Sequence, residues 1–231
     1  MWLAINIGNS RQHWGWFHGN ELLLTSDHPP DYWDEEAVSK AESIVVASVV
    51  PDALERWSSI PKAQTLTLDR VPIQGGYEGL GVDRALNILG ASYRYGYPTL
   101  VVDFGTAITL SATSHSGQFM GGCIMPGFGL QFKSLHQYTA LLPQVKLPTV
   151  LPPTMALTTE QSIQSGVIQV TLAGIEQFCL AWRQRQPQGK VIATGGDSAT
   201  VYNWFPHLFN IQDSYVSLWG MYATITGLVK H

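Results

Sequence analysis

The sequence carries little charge and no run of basic residues. Only 13% of its 231 residues are Asp, Glu, Lys or Arg, and the formal net charge is −4. Proteins whose main partner is nucleic acid cluster Lys and Arg on one face, so this composition argues against a nucleic-acid partner. With 45% apolar residues, the chain is also too hydrophobic to be intrinsically disordered.

Cysteines and long apolar runs are scarce as well. The two cysteines, Cys123 and Cys179, provide neither a disulfide framework nor a zinc motif, which fits a reducing cytoplasm. No stretch approaches about 18 uninterrupted apolar residues, and no basic segment precedes an apolar helix at the start of the chain. We therefore expect a cytoplasmic protein that is neither secreted nor inserted in a membrane.

Familiar catalytic signatures are missing too. The chain has no P-loop of the form G-x-x-x-x-G-K-[ST], no G-x-S-x-G elbow and no protein-kinase catalytic loop. Its histidines lack metal-ligand spacing and are interpreted as structural or solvated. If this is a phosphoryl-transfer enzyme, it follows another design.

What the chain does contain is an internal repeat. Ile5-Asn6-Ile7-Gly8-Asn9-Ser10 matches Val102-Asp103-Phe104-Gly105-Thr106-Ala107 at an offset of 97 positions. Turn signals follow at similar distances, at His18-Gly19-Asn20 and His115-Ser116-Gly117. The pattern predicts a duplicated unit that begins with strand, loop, strand, turn and strand.

Strand-like and helix-like segments alternate through both halves, which predicts an α/β fold. In the first half we expect helices near 31–41, from Pro51 and over about 83–95, with strands at 44–47 and 65–68. In the second half we expect strands between 99 and 123 and at 191–194, with helices after Pro126, over about 159–183 and over about 215–229.

Each repeat copy places a glycine turn directly after a strand. We call Asn6-Ile7-Gly8-Asn9-Ser10 the first glycine loop and Asp103-Phe104-Gly105-Thr106-Ala107 the second glycine loop. Such a turn offers backbone N–H groups to phosphate. In the second glycine loop, the carboxylate and the Thr hydroxyl suit a cation and phosphate oxygens, or the Asp simply stabilises a β-turn.

Gly81-Val82-Asp83-Arg84 precedes an amphipathic helix. Asp83 could be the N-cap of that helix. It could equally accept the proton of a substrate hydroxyl, with Arg84 binding a substrate carboxylate. Tyr77, four residues before Gly81, either closes this pocket or packs.

Two further junctions join a strand to a helix through glycines. They are Gly121-Gly122-Cys123-Ile124-Met125-Pro126-Gly127 and Gly195-Gly196-Asp197. The second lies at the usual ligand position of an α/β fold, where a nucleotide base or sugar could rest.

Five stretches, taken in order, resemble type III pantothenate kinase, also called the Bvg accessory factor family. They are the two glycine loops, the Gly81–Arg84 stretch, the Gly121–Gly127 junction and the helix start Thr159-Glu160-Gln161-Ser162-Ile163-Gln164-Ser165-Gly166. The resemblance covers nearly the whole chain. It implies two duplicated ribonuclease-H-like domains, 1–97 and 98–231, of the acetate and sugar kinase, chaperone and actin superfamily, with an active-site cleft between them. It also implies a cytoplasmic homodimer that phosphorylates pantothenate with ATP, Mg²⁺ and a monovalent cation, K⁺ or NH₄⁺, in the first step towards coenzyme A.

The resemblance also assigns roles to individual residues. Asp83 would be the general base and Asp103 would bind the monovalent cation. Pantothenate would be bound by Tyr77, Gly81, Val82, Asp83, Arg84 and Thr159. ATP would be bound by Asn6, Ile7, Gly8, Asn9, Ser10, Arg11, Gln12, His13 and Thr106.

The chain departs from the family where Asn6 replaces the usual Asp and Ser10 replaces the usual Thr. Ser10 keeps the hydroxyl. Asn6 removes a charge near the expected Mg²⁺ site but keeps a carbonyl oxygen that can face Mg²⁺ or its water. We therefore expect an active kinase with a raised Mg²⁺ or ATP requirement. Two alternatives remain: a kinase for another small hydroxylated substrate, and a non-catalytic regulator that retains the fold.

Overall fold

The structure is a computed structural model that describes residues 1–228. The chain forms two compact units, each discontinuous in sequence. Unit 1 comprises Met1–Thr99, Ser111–Gly121 and the segment that begins at Tyr215, and unit 2 comprises Leu100–Leu110 and Gly122–Ser214. The division of the duplicated domains at 1–97 and 98–231 stays a prediction.

Strands and helices alternate in both halves, as expected. The first half contains β1 (Trp2–Ile7), β2 (Gln12–His18), β3 (Glu21–His28), α1 (Glu35–Lys40), β4 (Ser43–Ser48), α2 (Pro51–Ser58), β5 (Ala63–Thr65) and α3 (Val82–Tyr95). The second half contains β6 (Thr99–Phe104), β7 (Ala107–Thr113), β8 (Phe119–Pro126), α4 (Phe128–Gln137), α5 (Thr159–Arg185), β9 (Lys190–Thr194), α6 (Ser198–Trp204), β10 (Ile211–Gln212) and α7 (Val216–Thr226). Val229, the expected end of the last helix, lies outside the described residues.

The two sheets repeat one topology. The first has the order β3-β2-β1-β4-β5, and the second, read from β8, has the order β8-β7-β6-β9-β10. In the first sheet β1 pairs antiparallel with β2 and parallel with β4. The bounds of β1 and β6 differ by 97 at both ends, the same offset as the sequence repeat. The predicted duplication and the α/β class are confirmed.

Three element boundaries differ from the expected ones for local reasons. Helix α1 begins only at Glu35, because the Asp34 carboxylate caps it by accepting the N–H groups of Glu36 and Ala37 at 2.9 and 3.0 Å. The strand expected at 65–68 ends at Thr65, and Leu68–Arg70 forms a 3₁₀ turn instead. Helix α3 is capped by Gly81, so the N-cap interpretation of Asp83 is wrong.

Helices α3 and α7 cross in backbone contact within unit 1. A Cβ on Gly90 would overlap the Val216 carbonyl oxygen, and a Cβ on Gly220 would overlap that of Leu86. The two crossed helices pack on the face of the first sheet that carries Ala4. Side chains from this face and from both helices form one apolar core. Because side chains alternate along a strand, Asn6 lies on this same face of β1.

Helix α5 is apolar on two faces. Its inner face buries Ile168, Ile175 and Cys179 completely. The outer face, which we define as Val170, Ala173, Phe178, Leu180 and Ala181, is exposed, with 74% of Val170 and 50% of Phe178 accessible. No helix within residues 1–228 is long and apolar enough to cross a membrane.

Candidate functional site

The start of α3 holds the predicted base. Gly81 caps the helix, Asp83 is its second residue, and the Asp83 carboxylate accepts the backbone N–H of Arg84 at 2.8 Å. A Cβ on Gly81 would overlap Asp83 Oδ1, so a side chain at position 81 would push the carboxylate out of this position. The glycine two residues before Asp83 therefore leaves room for the carboxylate.

Two opposing effects act on Asp83. Burial raises the pKa of this carboxyl above its usual value, and the backbone N–H groups and the charge of Arg84 offset only part of that rise. A carboxylate with a raised pKa is a stronger base than an exposed Asp. This is the property that a proton acceptor for an alcohol needs.

Arg84 follows Asp83 but points into unit 1. Only 5% of it is exposed, its Nε donates to Ser111 Oγ at 3.0 Å, and its Nη1 donates to the Tyr77 hydroxyl at 2.9 Å. The guanidinium also lies 5.9 Å from the centre of the Phe119 ring. The structure thus brings three predicted substrate residues, Tyr77, Asp83 and Arg84, together around one helix start.

The loop that carries Tyr77 is tied to the β7–β8 hairpin. Phe119 N–H donates to Gln74 O at 2.7 Å, and Gln74 and Gln118 form a parallel bridge. Gly75 has a φ of +75°, which favours glycine, and a Cβ there would lie 2.9 Å from Gln118 Cγ. Half of Tyr77 remains exposed beside the buried guanidinium.

The first glycine loop closes the β1–β2 hairpin. Gly8 N–H donates to Arg11 O at 2.8 Å, while Asn9, Ser10 and Arg11 are exposed. Asn6 is 9% exposed, and within residues 1–228 its side chain has no recorded hydrogen bond to protein. A shielded amide at a loop of this kind is suited to a ligand oxygen or a metal-bound water.

The two residues that end the predicted ATP segment have partners within the protein. The Gln12 amide is buried, donates to the carbonyls of Pro29, Pro30 and Tyr32, and accepts from Trp14 Nε1. Its side chain thus supports the fold, and any contact with a nucleotide would use its backbone. His13 lies opposite Asn6 on β2, with Nδ1 at 2.6 Å from Asp27 Oδ1.

The turn at the second glycine loop is shorter than the turn at the first. Two residues separate β6 from β7, where Gly105 N–H donates to Ala107 O at 3.2 Å, whereas four residues separate β1 from β2. Gly127, the cap of α4, donates its N–H to Thr106 O at 2.9 Å. The positive end of α4 therefore lies beside this loop, which favours an anion there.

Asp103 is the last residue but one of β6 and lies next to the Gly195 turn. Gly195 has a φ of +90°, and a Cβ on it would overlap Asp103 Oδ1. Asp197 N–H donates to Phe104 O at 3.1 Å, which ties the start of α6 to the end of β6. Within unit 2, the structure thus brings Asp103, Thr106 and the Gly195–Asp197 turn to neighbouring strand ends.

Thr159 is the first residue of α5 and is exposed in unit 2, while Val82 is the partly buried first residue of α3 in unit 1. Thr158, not Thr159, caps α5 through its hydroxyl, so the Thr159 side chain is not needed for capping. Within residues 1–228, no group of three or more His, Cys, Asp or Glu side chains could hold a metal ion.

Sequence reasoning missed Ser111 and Phe119, which contact Arg84. The available signal was weak: Ser111 is a polar residue inside the buried run of β7, and Phe119 follows a turn. Neither pattern identifies the partner.

Comparison with known proteins gives consistent matches. Residues 2–181 match the family model described as type III pantothenate kinase. A Gloeobacter violaceus protein named type III pantothenate kinase is 53% identical over 227 residues, which cover 98% of this chain and 99% of that protein. A Nostoc protein of the same name is 35% identical over an alignment of 265 positions, which covers 99% of this chain and 95% of that protein.

Solved structures agree on the fold. A Campylobacter jejuni protein of the Baf family superposes with a TM-score of 0.69 at 23% identity, covering 97% of this chain and 98% of that one. A Sinorhizobium meliloti protein provisionally assigned as a 2-dehydro-3-deoxygalactonokinase gives a TM-score of 0.59 at 13% identity, covering 100% and 99%. These likenesses concern the fold alone, an α/β chain with two five-stranded sheets.

Proposed function

Because the chain belongs to the type III pantothenate kinase family, we propose that it phosphorylates pantothenate with Asp83 as the general base. ATP-dependent phosphorylation of pantothenate to 4'-phosphopantothenate is the first step of coenzyme A biosynthesis, and this chain is a kinase of that type. The observation that carries the choice of base is the partly buried Asp83 carboxyl, whose pKa is raised at the start of α3.

Arg84 and its neighbours are proposed to bind pantothenate. The buried guanidinium has the planar fork that a substrate carboxylate needs, and Tyr77 contacts it from an exposed loop. Gly81 and Val82 would line the approach to Asp83, and Thr159 would contribute its hydroxyl. Holding the carboxylate fixes the primary hydroxyl at the base, and such positioning provides much of the catalysis in phosphoryl transfer.

ATP is proposed to bind the residues of the two glycine loops. Residues 6–13 and Thr106 would contact the nucleotide, with support from the unpartnered Asn6 amide and from the α4 N-terminus beside Thr106. The Asp103 carboxylate would hold K⁺ or NH₄⁺, and Asn6 would face Mg²⁺ through its carbonyl oxygen or a water. When bound, Mg²⁺ supplies charge neutralisation at the phosphates.

A homodimer is proposed from the outer face of α5. Val170, Phe178 and Leu180 expose apolar surface along a helix whose other face is already buried in unit 2. A second copy of the same helix would cover that surface by two-fold symmetry. We also propose a cytoplasmic location without nucleic-acid or membrane partners, supported by the low charge and the absence of basic runs.

The assay is direct. Purified protein with pantothenate, ATP, Mg²⁺ and K⁺ should form phosphopantothenate, and Asp83→Asn should lower kcat by ~10²–10⁴-fold because the proton acceptor is lost. Turnover by Asp83→Asn equal to that of the native chain would refute Asp83 as the base. Screening other small alcohols with an ADP readout tests the alternative substrate class, and lack of turnover with every alcohol would favour a regulator.

A further inference from the structure

We infer that Ser111 is a positioning residue that orients the guanidinium of Arg84 for the substrate carboxylate. Ser111 lies on β7 and Arg84 on α3, and both belong to unit 1. Their contact joins Arg84 Nε to Ser111 Oγ at 3.0 Å, with 5% of Arg84 and 2% of Ser111 exposed. The inference rests on the proposed function, because it concerns how Arg84 receives pantothenate.

An arginine side chain has many rotamers, and a bidentate pair with a carboxylate requires one orientation of its plane. Ser111 accepts at Nε, the nitrogen closest to the aliphatic stem, and thereby sets the rotation of that plane. The Tyr77 hydroxyl contacts Nη1 at 2.9 Å, and the Phe119 ring centre lies 5.9 Å from the guanidinium carbon. The contact from Ser111 comes from a buried polar side chain on a strand.

The β7–β8 hairpin connects Ser111 with the loop that carries Tyr77. Its segment Ser111–Gly121 belongs to unit 1, and its Phe119 N–H donates to Gln74 O at 2.7 Å. The same hairpin therefore holds Arg84 through Ser111 and the Tyr77 loop through Gln74. A buried hydroxyl costs free energy unless it is hydrogen-bonded. For Ser111, the hydrogen bond from Arg84 Nε offsets this cost.

The test compares Ser111→Ala with the native full-length chain in steady-state kinetics. Removing a charged hydrogen bond should raise KM for pantothenate by about tenfold. The KM for ATP should change little, since the glycine loops are untouched. As a second measurement, a pantothenate analogue that carries an alcohol in place of the carboxylate is used as an inhibitor. Its inhibition constant should be the same for Ser111→Ala and for the native chain.

Two variants of the same shape separate the effect of the hydroxyl from that of side-chain size. Ser111→Thr keeps the hydroxyl and should have the native KM for pantothenate. Ser111→Val has the shape of threonine without the oxygen and should have the raised KM. Ser92→Ala removes another buried hydroxyl of unit 1, which bonds Thr99 at 3.3 Å, and serves as the control for general loosening. Melting temperatures establish that each variant is folded.

Equal KM values for the Thr and Val variants, or equal losses for pantothenate and its carboxylate-free analogue, would overturn the role of Ser111. A native chain that does not phosphorylate pantothenate would instead overturn the proposed function. The two failures are therefore distinct.

Discussion

At the scale of the residue, the raised pKa of Asp83 affects both its proposed role as a base and the stability of the fold. Its pKa is raised, mainly by burial, so the folded protein holds the proton more tightly than the unfolded chain does. The stability that this carboxyl contributes is fully present below its ordinary pKa and is lost as the pH rises through the raised value. The ionised form, which the proposed role as general base needs, is thus the form that weakens the fold.

We therefore expect Asp83→Asn to melt at a higher temperature than the native protein at pH 7. Asn keeps an oxygen for the Arg84 N–H but carries no charge to bury. The difference in melting temperature should shrink as the pH is lowered towards the ordinary pKa of an aspartate, because the native carboxyl gains its proton. Calorimetry across this range checks the sign, and Asp31→Asn, at an exposed aspartate outside the helices and strands, provides the control. A difference that does not vary with pH would contradict the argument.

Asn6 carries the second prediction at this scale. Restoring a carboxylate by Asn6→Asp adds a charge at a shielded position, where its attraction for a cation is stronger than in water. We expect the Mg²⁺ concentration for half-maximal turnover to fall by on the order of tenfold, a shift equivalent to about 1.4 kcal/mol. Asn20→Asp adds the same charge in the exposed turn after β2 and should leave this concentration unchanged. Equal Mg²⁺ requirements in the native and Asn6→Asp proteins would show that the amide is a full substitute.

At the scale of the element, the crossing of α3 and α7 matters most, because α3 carries Asp83 and Arg84. A methyl group on Gly90 has no space, since it would overlap the Val216 carbonyl oxygen of α7. We expect Gly90→Ala to lower the free energy of unfolding by about 1–3 kcal/mol and to reduce activity by shifting α3. Gly129→Ala in α4, where nothing lies within 4 Å of the added methyl, is the matched control. Denaturant unfolding measures the free energy of unfolding of both variants. Equal values for Gly90→Ala and Gly129→Ala would show that the helices can move apart and would contradict the prediction.

The elements also show what sequence reasoning could and could not reach. The repeat predicted β1 and β6 because the apolar run, the Asx position and the glycine are local features of each copy. The different lengths of the two turns were not visible, since each turn begins with a glycine followed by a small polar residue. The role of Ser111 depends on a partner 27 positions away, and the packing of α7 on α3 joins segments still further apart. Such contacts arise from tertiary packing, which a single sequence does not reveal.

At the scale of the whole molecule, the exposed apolar face of α5 requires an explanation. Along this helix Val170, Ala173, Phe178 and Ala181 recur at spacings that place them on one face, and Glu176 is the only charged residue between Glu160 and Arg183. A solvated helix would show charge there. Type III pantothenate kinase membership makes a second copy of this chain the proposed partner of the face.

We expect the native protein to behave as a dimer in light scattering after size exclusion, and Val170→Asp to shift it towards the monomer. Burying an unpaired carboxylate in an apolar interface is strongly unfavourable, so the dissociation constant should rise by on the order of a hundredfold or more. Leu24→Asp places the same charge on β3, at a leucine that is 62% exposed in unit 1, and should leave the dimer intact. If Val170→Asp remains a dimer while Leu24→Asp dissociates, the interface lies on the first sheet and the outer face of α5 serves another purpose.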